Sequence, residues 1–402
     1  MAKRIRQGTA IMVAGLLATA ATACAGQQTS TPGFAGRHLP AERGAHGAGA
    51  GAEGGARTFT LLASGGILPD TSAIDRAALD GGGAGYDFRP MLEGAAPAVS
   101  EADLAICHLD TVIGQQGGPY TGPPSYRTPP ELAAALRDTG YDSCSTASDH
   151  TLDDGAQGVR RTLDALDRAG VAHSGSARSA GEASRPGLLK AGKGANAAKV
   201  AHLAYTYGTG GPMPAGQRWA ADVIDRDRIV ADARAARKAG ADVVVVSLHW
   251  GSEWQDAPDA AQTGLGRELT ASRTGERPDI DLILGTHTHV PQAYEKVNGT
   301  WVVYGLGDQV AGAAGQDERA RASTMGRFTF EAPARPGERW AVGKAEFIPL
   351  WFDAQAGRVV RPDANTAAGG EAAAGRTREI RDRIHRAVLS RGAGQDGLTA
   401  GR

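Results

Sequence analysis

Four separated stretches carry residues that bind metal ions or move protons: Asp110 in "HLDT", Asp149 and His150 in "TASDHT", His249 in "SLHWGSE", and His287 and His289 in "GTHTHV". Together they offer two carboxylates and four imidazoles, a mixed oxygen and nitrogen donor set suited to Zn, Mn or Fe. Each alone has a plainer explanation. A histidine before Trp250 is often a hydrogen-bonded core residue, Asp110 or Asp149 is a good turn or helix cap, and an HxH pair is as often loop as ligand. Their recurrence at successive strand ends favours one shared metal or acid–base site. Asp149 directly before His150, after small residues that follow an apolar stretch, looks like a metal or acid–base site at a strand end. If "HTH" is extended, His287 and His289 face the same side. Trp250, Glu253 and Trp254 beside His249 are candidates for a pocket wall, although plain core packing serves the two aromatics equally well. The Gly-rich "YGTGGPMPAG" (207 to 216) lacks a Lys followed by Ser or Thr, so it is not a nucleotide cradle and reads as a lid loop or a long turn.

The elements that must position these residues alternate in type. Strand candidates are 57 to 64, 102 to 109, 199 to 207, 241 to 249 and 280 to 286, with "DVVVVSL" and "IDLIL" continuous enough to be covered on both faces. Between them lie helical patterns such as "PPELAAALRDTG" and "DDGAQGVRRTLDALDRAG", each closed by a glycine just past its end. This alternation predicts an α/β sheet with helices outside, and ligands of such sheets gather at the carboxyl ends of strands. Late in the chain "AYEKVNGTWVVYGLG", "MGRFTFEA" and "RWAVGKAEFIPLWFD" read as antiparallel strands, with Asn298 and Gly299 as a hairpin turn.

The termini set the compartment. "MAKRIRQGTAIMVAGLLATAATAC" has a basic start, a short apolar run and small residues before Cys24, the layout of a secretory signal. "ATAC" also resembles a lipobox, which implies a signal peptide over 1–23, lipidation of Cys24, and an extracytoplasmic protein held at the cell membrane by its lipid anchor, or otherwise secreted. Residues 24–56 read as a flexible Gly/Ala-rich tether, 57–352 as the folded domain, and 353–402 as a linker and short helix, Thr377 to Ser390. His38 and His46 read as solvated, and His385 as lying on a polar helix face. Cys107 and Cys144 are open to either a disulfide or two buried thiols. The 43 basic against 44 acidic side chains give no concentrated charge for nucleic acid.

"TASDHTLDDGAQGVRRTLDALDRAGVAHSGSARS", "VVVSLHWGSEW", "DLILGTHTHVPQ" and "GTWVVYGLGD", in this order and spacing, resemble the CapA type of poly-γ-glutamate capsule biosynthesis proteins, a branch of the calcineurin-like metallophosphatase superfamily. The resemblance covers about residues 57 to 352. It implies a four-layer α/β/β/α sandwich, a metal site at the sheet edges, and a role in making or exporting an anionic γ-glutamyl polymer.

The departures from the family pattern fall in the site. Gly65-Gly66 stands where the family has Gly-Asp, Asp110 where it has Glu, Asp149 where it has the Asn of "SNH", "GTHTH" where it has a "GHHAH" type of motif, and Asp308 where it has the Asn of "GLGN". Carried over residue by residue, one metal position retains only Asp110 and His289, because glycine offers no side chain. The other retains Asp110, Asp149, His249 and His287, a complete set. The resemblance therefore implies one divalent ion, of Mn, Zn or Fe, with Asp308, Glu253 and Asp70 as further candidates, Asp70 as a substitute ligand for the position lost at Gly66. The function expected is metal-assisted hydrolysis or transfer on an anionic polymer or peptide, alongside a membrane synthase or export complex, and the matching motif implies that His150 is the catalytic residue, as general acid or to orient the substrate. The rivals are a non-hydrolytic scaffold that binds polymer or a synthase partner, and a metal-independent, epimerase-like acid–base enzyme.

Overall fold

The computed structural model describes residues 57–185, 187–194, 197–311, 318–335, 337–362 and 370–402. The expected signal peptide and tether, with Cys24, His38 and His46, lie outside the described residues.

Two sheets carry the fold. In the larger, the strand order is Arg358–Val360, Ala341–Asp353, Ala322–Glu331, Thr58–Ile67, Leu104–Leu109, Ser143–Ser145 and Ala172–Ser174, with Asp308–Val310 also pairing Thr58–Ile67. The last four strands of that order run parallel, and the first four are antiparallel, as the late sequence pattern predicts. The second sheet orders Tyr294–Val297, Thr300–Val303, Leu282–Thr286, Val243–His249, Ala198–Thr206 and Leu188–Ala191, with a parallel centre.

Side-chain alternation sorts these strands into layers. Leu61 and Ala63 face Val243, Val245, Leu282 and Leu284 of the other sheet, forming the core between the sheets. Leu62 points the opposite way, into a core shared with Leu132, Leu136 and Leu166 of the helices Glu131–Thr139 and Gly155–Ala169. Val244 and Val246 likewise point outward, against Ile229 and Ala233 of Arg226–Lys238 and Leu269 of Ala260–Ala271. The result is helix, sheet, sheet, helix: the expected four-layer sandwich. Gly140 and Gly170 end their helices in the left-handed conformation, at φ 112° and 75°. Asn298 (φ 51°) and Gly299 (φ 77°) turn the predicted hairpin.

Two features go beyond the sequence reading. Cys107 and Cys144 sit opposite each other in adjacent parallel strands and form a disulfide in the outer core of the larger sheet. Described residues past 352 also belong to the folded unit: the helix Gly370–Val388 buries Ile380, Ile384 and Val388 in the core between the sheets, and Leu398–Ala400 adds a strand alongside Ala341–Asp353. His385 sits edge-on to Phe347 at 4.8 Å and is not a freely solvated side chain. Among the described residues no helix is long and apolar enough to cross a membrane.

Candidate metal centre

The parallel strands of both sheets deliver their carboxyl ends to one place. Asp110 follows Leu104–Leu109, Asp149 follows Ser143–Ser145, His249 ends its strand, and His287 and His289 follow Leu282–Thr286. Asp110 is fully buried, and neither of its oxygens has a hydrogen-bond partner. His249 Nε2 stands 2.8 Å from Asp149 Oδ1 and 4.0 Å from Asp110 Oδ1.

His108, which the sequence reading passed over as a strand residue, belongs here. Its Nε2 lies 3.7 Å from Asp110 Oδ1 with no hydrogen-bond partner, and its ring stacks on His249 at 4.8 Å. The signal was available, since His108 and Asp110 are two apart at the end of one strand and so share a face. Each imidazole is aimed by a hydroxyl on its other nitrogen, Ser145 Oγ for His108 and Thr286 Oγ1 for His249, both at 3.2 Å. Such outer contacts fix the ring and the tautomer of a ligand. His202 makes the contrast, because both its nitrogens are satisfied, by Ser143 and Ser247 at 3.0 and 2.9 Å. It is a core histidine, whereas His108 keeps a nitrogen for something else.

His287 and His289 reach the basin by a turned segment, not an extended one. Their φ angles are 87° and 56°, which corrects the simple alternation expected of "HTH". Positive φ at non-glycine residues costs free energy and concentrates at functional sites. His287 Nδ1 is buried without a partner, and Tyr207 covers its ring at 4.4 Å. Tyr207 also donates to Asp149 Oδ2 at 3.3 Å, and Gly210, at φ 66°, packs on the Asp149 backbone, so the glycine-rich loop leans over the site.

Three overlapping donor groups result: His108, Asp110 and His249; Asp149, His249 and His287; Glu253, His287 and His289, each with ligand atoms mutually within 4.8 Å. The donor set is hard oxygen with imidazole, and the stranded Asp110 oxygens, His108 Nε2 and His287 Nδ1 are what a divalent cation would satisfy. The residues therefore fit a metal ion.

The other candidates separate. Asp70 caps the helix Thr71–Asp80, its Oδ1 accepting from Ala73 N at 2.9 Å and Ser72 Oγ at 2.6 Å, and it falls in none of the three donor groups. Asp308 Oδ2 pairs with His289 Nδ1 at 2.8 Å. Trp254 (φ 64°) stacks on His289 at 5.0 Å, with exposed Glu253 accepting from its indole, whereas Trp250 is a core residue donating to the Tyr304 carbonyl. Trp254 and Glu253 thus stand beside His289, whereas Trp250 stands in the outer core of the second sheet.

Burial and charge divide the titratable groups. Burial pushes His287 down to about 3 and also lowers His108. Asp110 is held well below the usual carboxylate range: burial opposes its charge, but His249 and His108 outweigh that. Asp149 falls to about 2 despite its burial, through His249. Burial works against protonating His150, yet Asp153, accepting from Nδ1 at 2.9 Å, with the charges of Asp110 and Asp149, raises it to about 9. Asp308 does the same for buried His289, also to about 9. Asp153 is a further residue the sequence reading missed; it is three past His150, within one turn.

Residues 60–313 match the family described as "Bacterial capsule synthesis protein PGA_cap". The chain belongs to this family. Relatives include a "Probable polyglutamine synthesis accessory protein" of Mycobacterium tuberculosis (strain ATCC 25618 / H37Rv), 30% identical over 231 residues that make up 54% of this chain and 58% of that protein. Another is "PGA biosynthesis protein CapA" of Bacillus subtilis (strain 168), 27% identical over 210 residues, 50% of this chain and 53% of that one. The chain thus spans little more than half the length of the curated relatives it matches. A solved calcineurin-like phosphoesterase, YfkN from Bacillus subtilis, overlays with a TM-score of 0.42 at 13% identity, covering 82% of this chain and 98% of that chain.

Proposed function

We propose that this PGA_cap family member acts outside the cytoplasm on an anionic envelope or capsular polymer of the poly-γ-glutamate kind, by hydrolysis or group transfer at a divalent-cation site. The polymer class is carried over from the names of its relatives, which refer to polyglutamine synthesis and PGA biosynthesis. The observation that supports the chemistry is Asp110, a fully buried carboxylate with no hydrogen-bond partner, set 3.7 Å from His108 Nε2, which also lacks one.

His108, Asp110, Asp149, His249 and His287 would hold the ion, which when bound supplies a Lewis acid for polarising a carbonyl or phosphoryl oxygen. His150 handles protons: Asp153 occupies its Nδ1 and favours the protonated ring, so Nε2 is left to donate to a leaving atom. Tyr207 and Trp254 form aromatic walls over His287 and His289 that exclude water from one side. A lipid on Cys24 would tether this site beside a membrane synthase or export complex, and loss of membrane association in Cys24→Ala tests that part separately.

The functional test is incubation of purified protein and Mn²⁺ with γ-linked oligoglutamate, followed by chromatography of chain length. Wild type should shorten or transfer chains, and His249→Ala should not. Chains that are bound yet unaltered by either protein would support the scaffold reading instead.

A further inference from the structure

Positive charge without a carboxylate partner collects at the end of the second sheet away from the metal centre. A cavity of about 590 Å³, within the usual range of ligand sites, opens there. It is lined by Arg234, Arg237 and Lys238, at the end of the helix Arg226–Lys238, and by Arg273 and Arg277, on the hairpin before Leu282–Thr286. Arg277 donates to the carbonyl of Asp242 at 2.7 Å, and Asp242 precedes the strand Val243–His249, whose far end is His249 itself. One strand length, roughly 20 Å, therefore separates the cavity from the metal centre.

The charges in this lining do not cancel. Among the described residues its one acidic group is Asp279, and that carboxylate is already occupied: Oδ1 accepts from Thr274 Oγ1 at 2.6 Å, and Oδ2 from Ser272 Oγ at 2.6 Å and Arg234 Nε at 3.0 Å. Arg237 is held by buried Asp281 and by the carbonyls of Ala241 and Asp242. Arg273, Arg277 and exposed Lys238 meet no carboxylate among the described residues; Arg273 donates to the Glu276 carbonyl at 2.7 Å and Arg277 to that of Asp242. Arg277 Nε is buried with no hydrogen-bond partner, and burial, with Arg237 beside it, pulls the guanidinium below its ordinary pKa. A part-buried cation among like charges is costly unless an anion joins it.

We propose that this cavity is a second docking site for the anionic polymer, in which Lys238, Arg273 and Arg277 hold carboxylates of a γ-linked glutamate chain while a distant part of the same chain reaches the metal centre. This rests on the polymer reading of the function and is independent of the metal. The planar forks of the two arginines suit carboxylates. The cations are spread over a helix end and a hairpin, and a chain of repeated carboxylates meets more of them than one small anion can. Holding the chain at two places makes the second contact intramolecular, which favours long chains over short ones.

Fluorescence anisotropy of a dye-labelled, long γ-linked oligoglutamate, titrated with the purified protein in EDTA, reads this site without metal. Wild type should bind, and Lys238→Gln with Arg273→Gln should weaken binding by roughly 10-fold, the loss of two exposed ion pairs. Arg160→Gln with Arg168→Gln removes the same charge from the helix Gly155–Ala169, which covers the other sheet, and should leave binding as it is. All four side chains are exposed, so neither double variant empties part of the core. Equal weakening by both pairs would mean that the chain responds to overall charge, and overturns the proposal. Wild type that binds polyphosphate but not the γ-linked chain assigns the cavity to phosphate and also overturns it. Absence of all binding in EDTA overturns it while leaving turnover at the metal centre to stand or fall by its own assay. Chains bound through Lys238 and Arg273 yet never altered in Mn²⁺ uphold this site and remove the hydrolase reading.

Discussion

Replacing Asp110 by Asn keeps the volume and one oxygen but removes the charge that His108 Nε2 and His249 Nε2 approach at 3.7 and 4.0 Å. A ligand that binds only the folded state stabilises it by about 2.7 kcal/mol at 100 times its dissociation constant. At about 2 °C per kcal/mol for a folded unit of this size, Mn²⁺ at that excess should raise the wild-type unfolding midpoint by about 5 °C per bound ion over protein in EDTA. Losing a directly coordinating charge should weaken binding by more than the roughly 100-fold that outer-shell partners cost. At the same Mn²⁺ concentration this leaves at most about 0.4 kcal/mol, a rise of under about 1 °C. The assay is a thermal melt of each protein in EDTA and in Mn²⁺, compared as the difference within each protein so that any change in the metal-free fold cancels. An equal rise in Asp110→Asn and wild type would refute Asp110 as a ligand, and no rise in wild type would refute the cation site.

Other perturbations test separate parts of the account. In metal-free protein, His150 and His289 carry pKa values raised to about 9. The stability they contribute is thus complete below about pH 6.5 and is lost as pH rises toward 9, by roughly a few kcal/mol in total. Melts in EDTA should show that decline, and a flat profile across the window would contradict the ion pairs. Asp70→Ala should cost about 1 kcal/mol as a lost helix cap and leave Mn²⁺ binding unchanged; a fall in bound metal would restore Asp70 as a ligand. Cys107→Ala with Cys144→Ala should lower stability by about 2–4 kcal/mol in denaturant melts, and an unaltered midpoint would show that the cross-strand disulfide does not hold these two strands. His150→Gln should leave metal content at the wild-type value while cutting turnover of γ-linked chains by roughly 100-fold or more, and loss of metal instead would make His150 a ligand.

Much of this was legible because strand ends announce themselves. Continuous apolar runs such as "DVVVVSL" mark which strands are covered on both faces, and the polar residues just past them had to meet at the carboxyl edge. Asp110, Asp149, His249, His287 and His289 all gather there. What was hidden depends on neighbours that are far apart in sequence. His108 lies inside an apolar strand and looks like core until its unpartnered nitrogen is seen against Asp110. Asp308 was singled out, but its hydrogen bond to His289, nineteen residues earlier, is not something a linear reading supplies. The C-terminal helix was found but its docking was not, because Ile380, Ile384 and Val388 form a narrow stripe whose partner surface between the sheets is built from distant strands. Asp70 read as a spare carboxylate because its cap contacts, to Ser72 and Ala73, are a matter of local backbone geometry.

The central claim is that the Asp and His basin is a metal centre. The most direct measurement is elemental analysis of the purified protein after equilibration with Mn²⁺, Zn²⁺ or Fe²⁺ and removal of free metal, with His249→Ala beside it. His249 is shared by the two donor groups that contain Asp110 and Asp149. A metal centre here requires at least one tightly held transition metal per wild-type chain and its loss in His249→Ala. A wild-type protein that retains no metal after reconstitution with any of the three would contradict it.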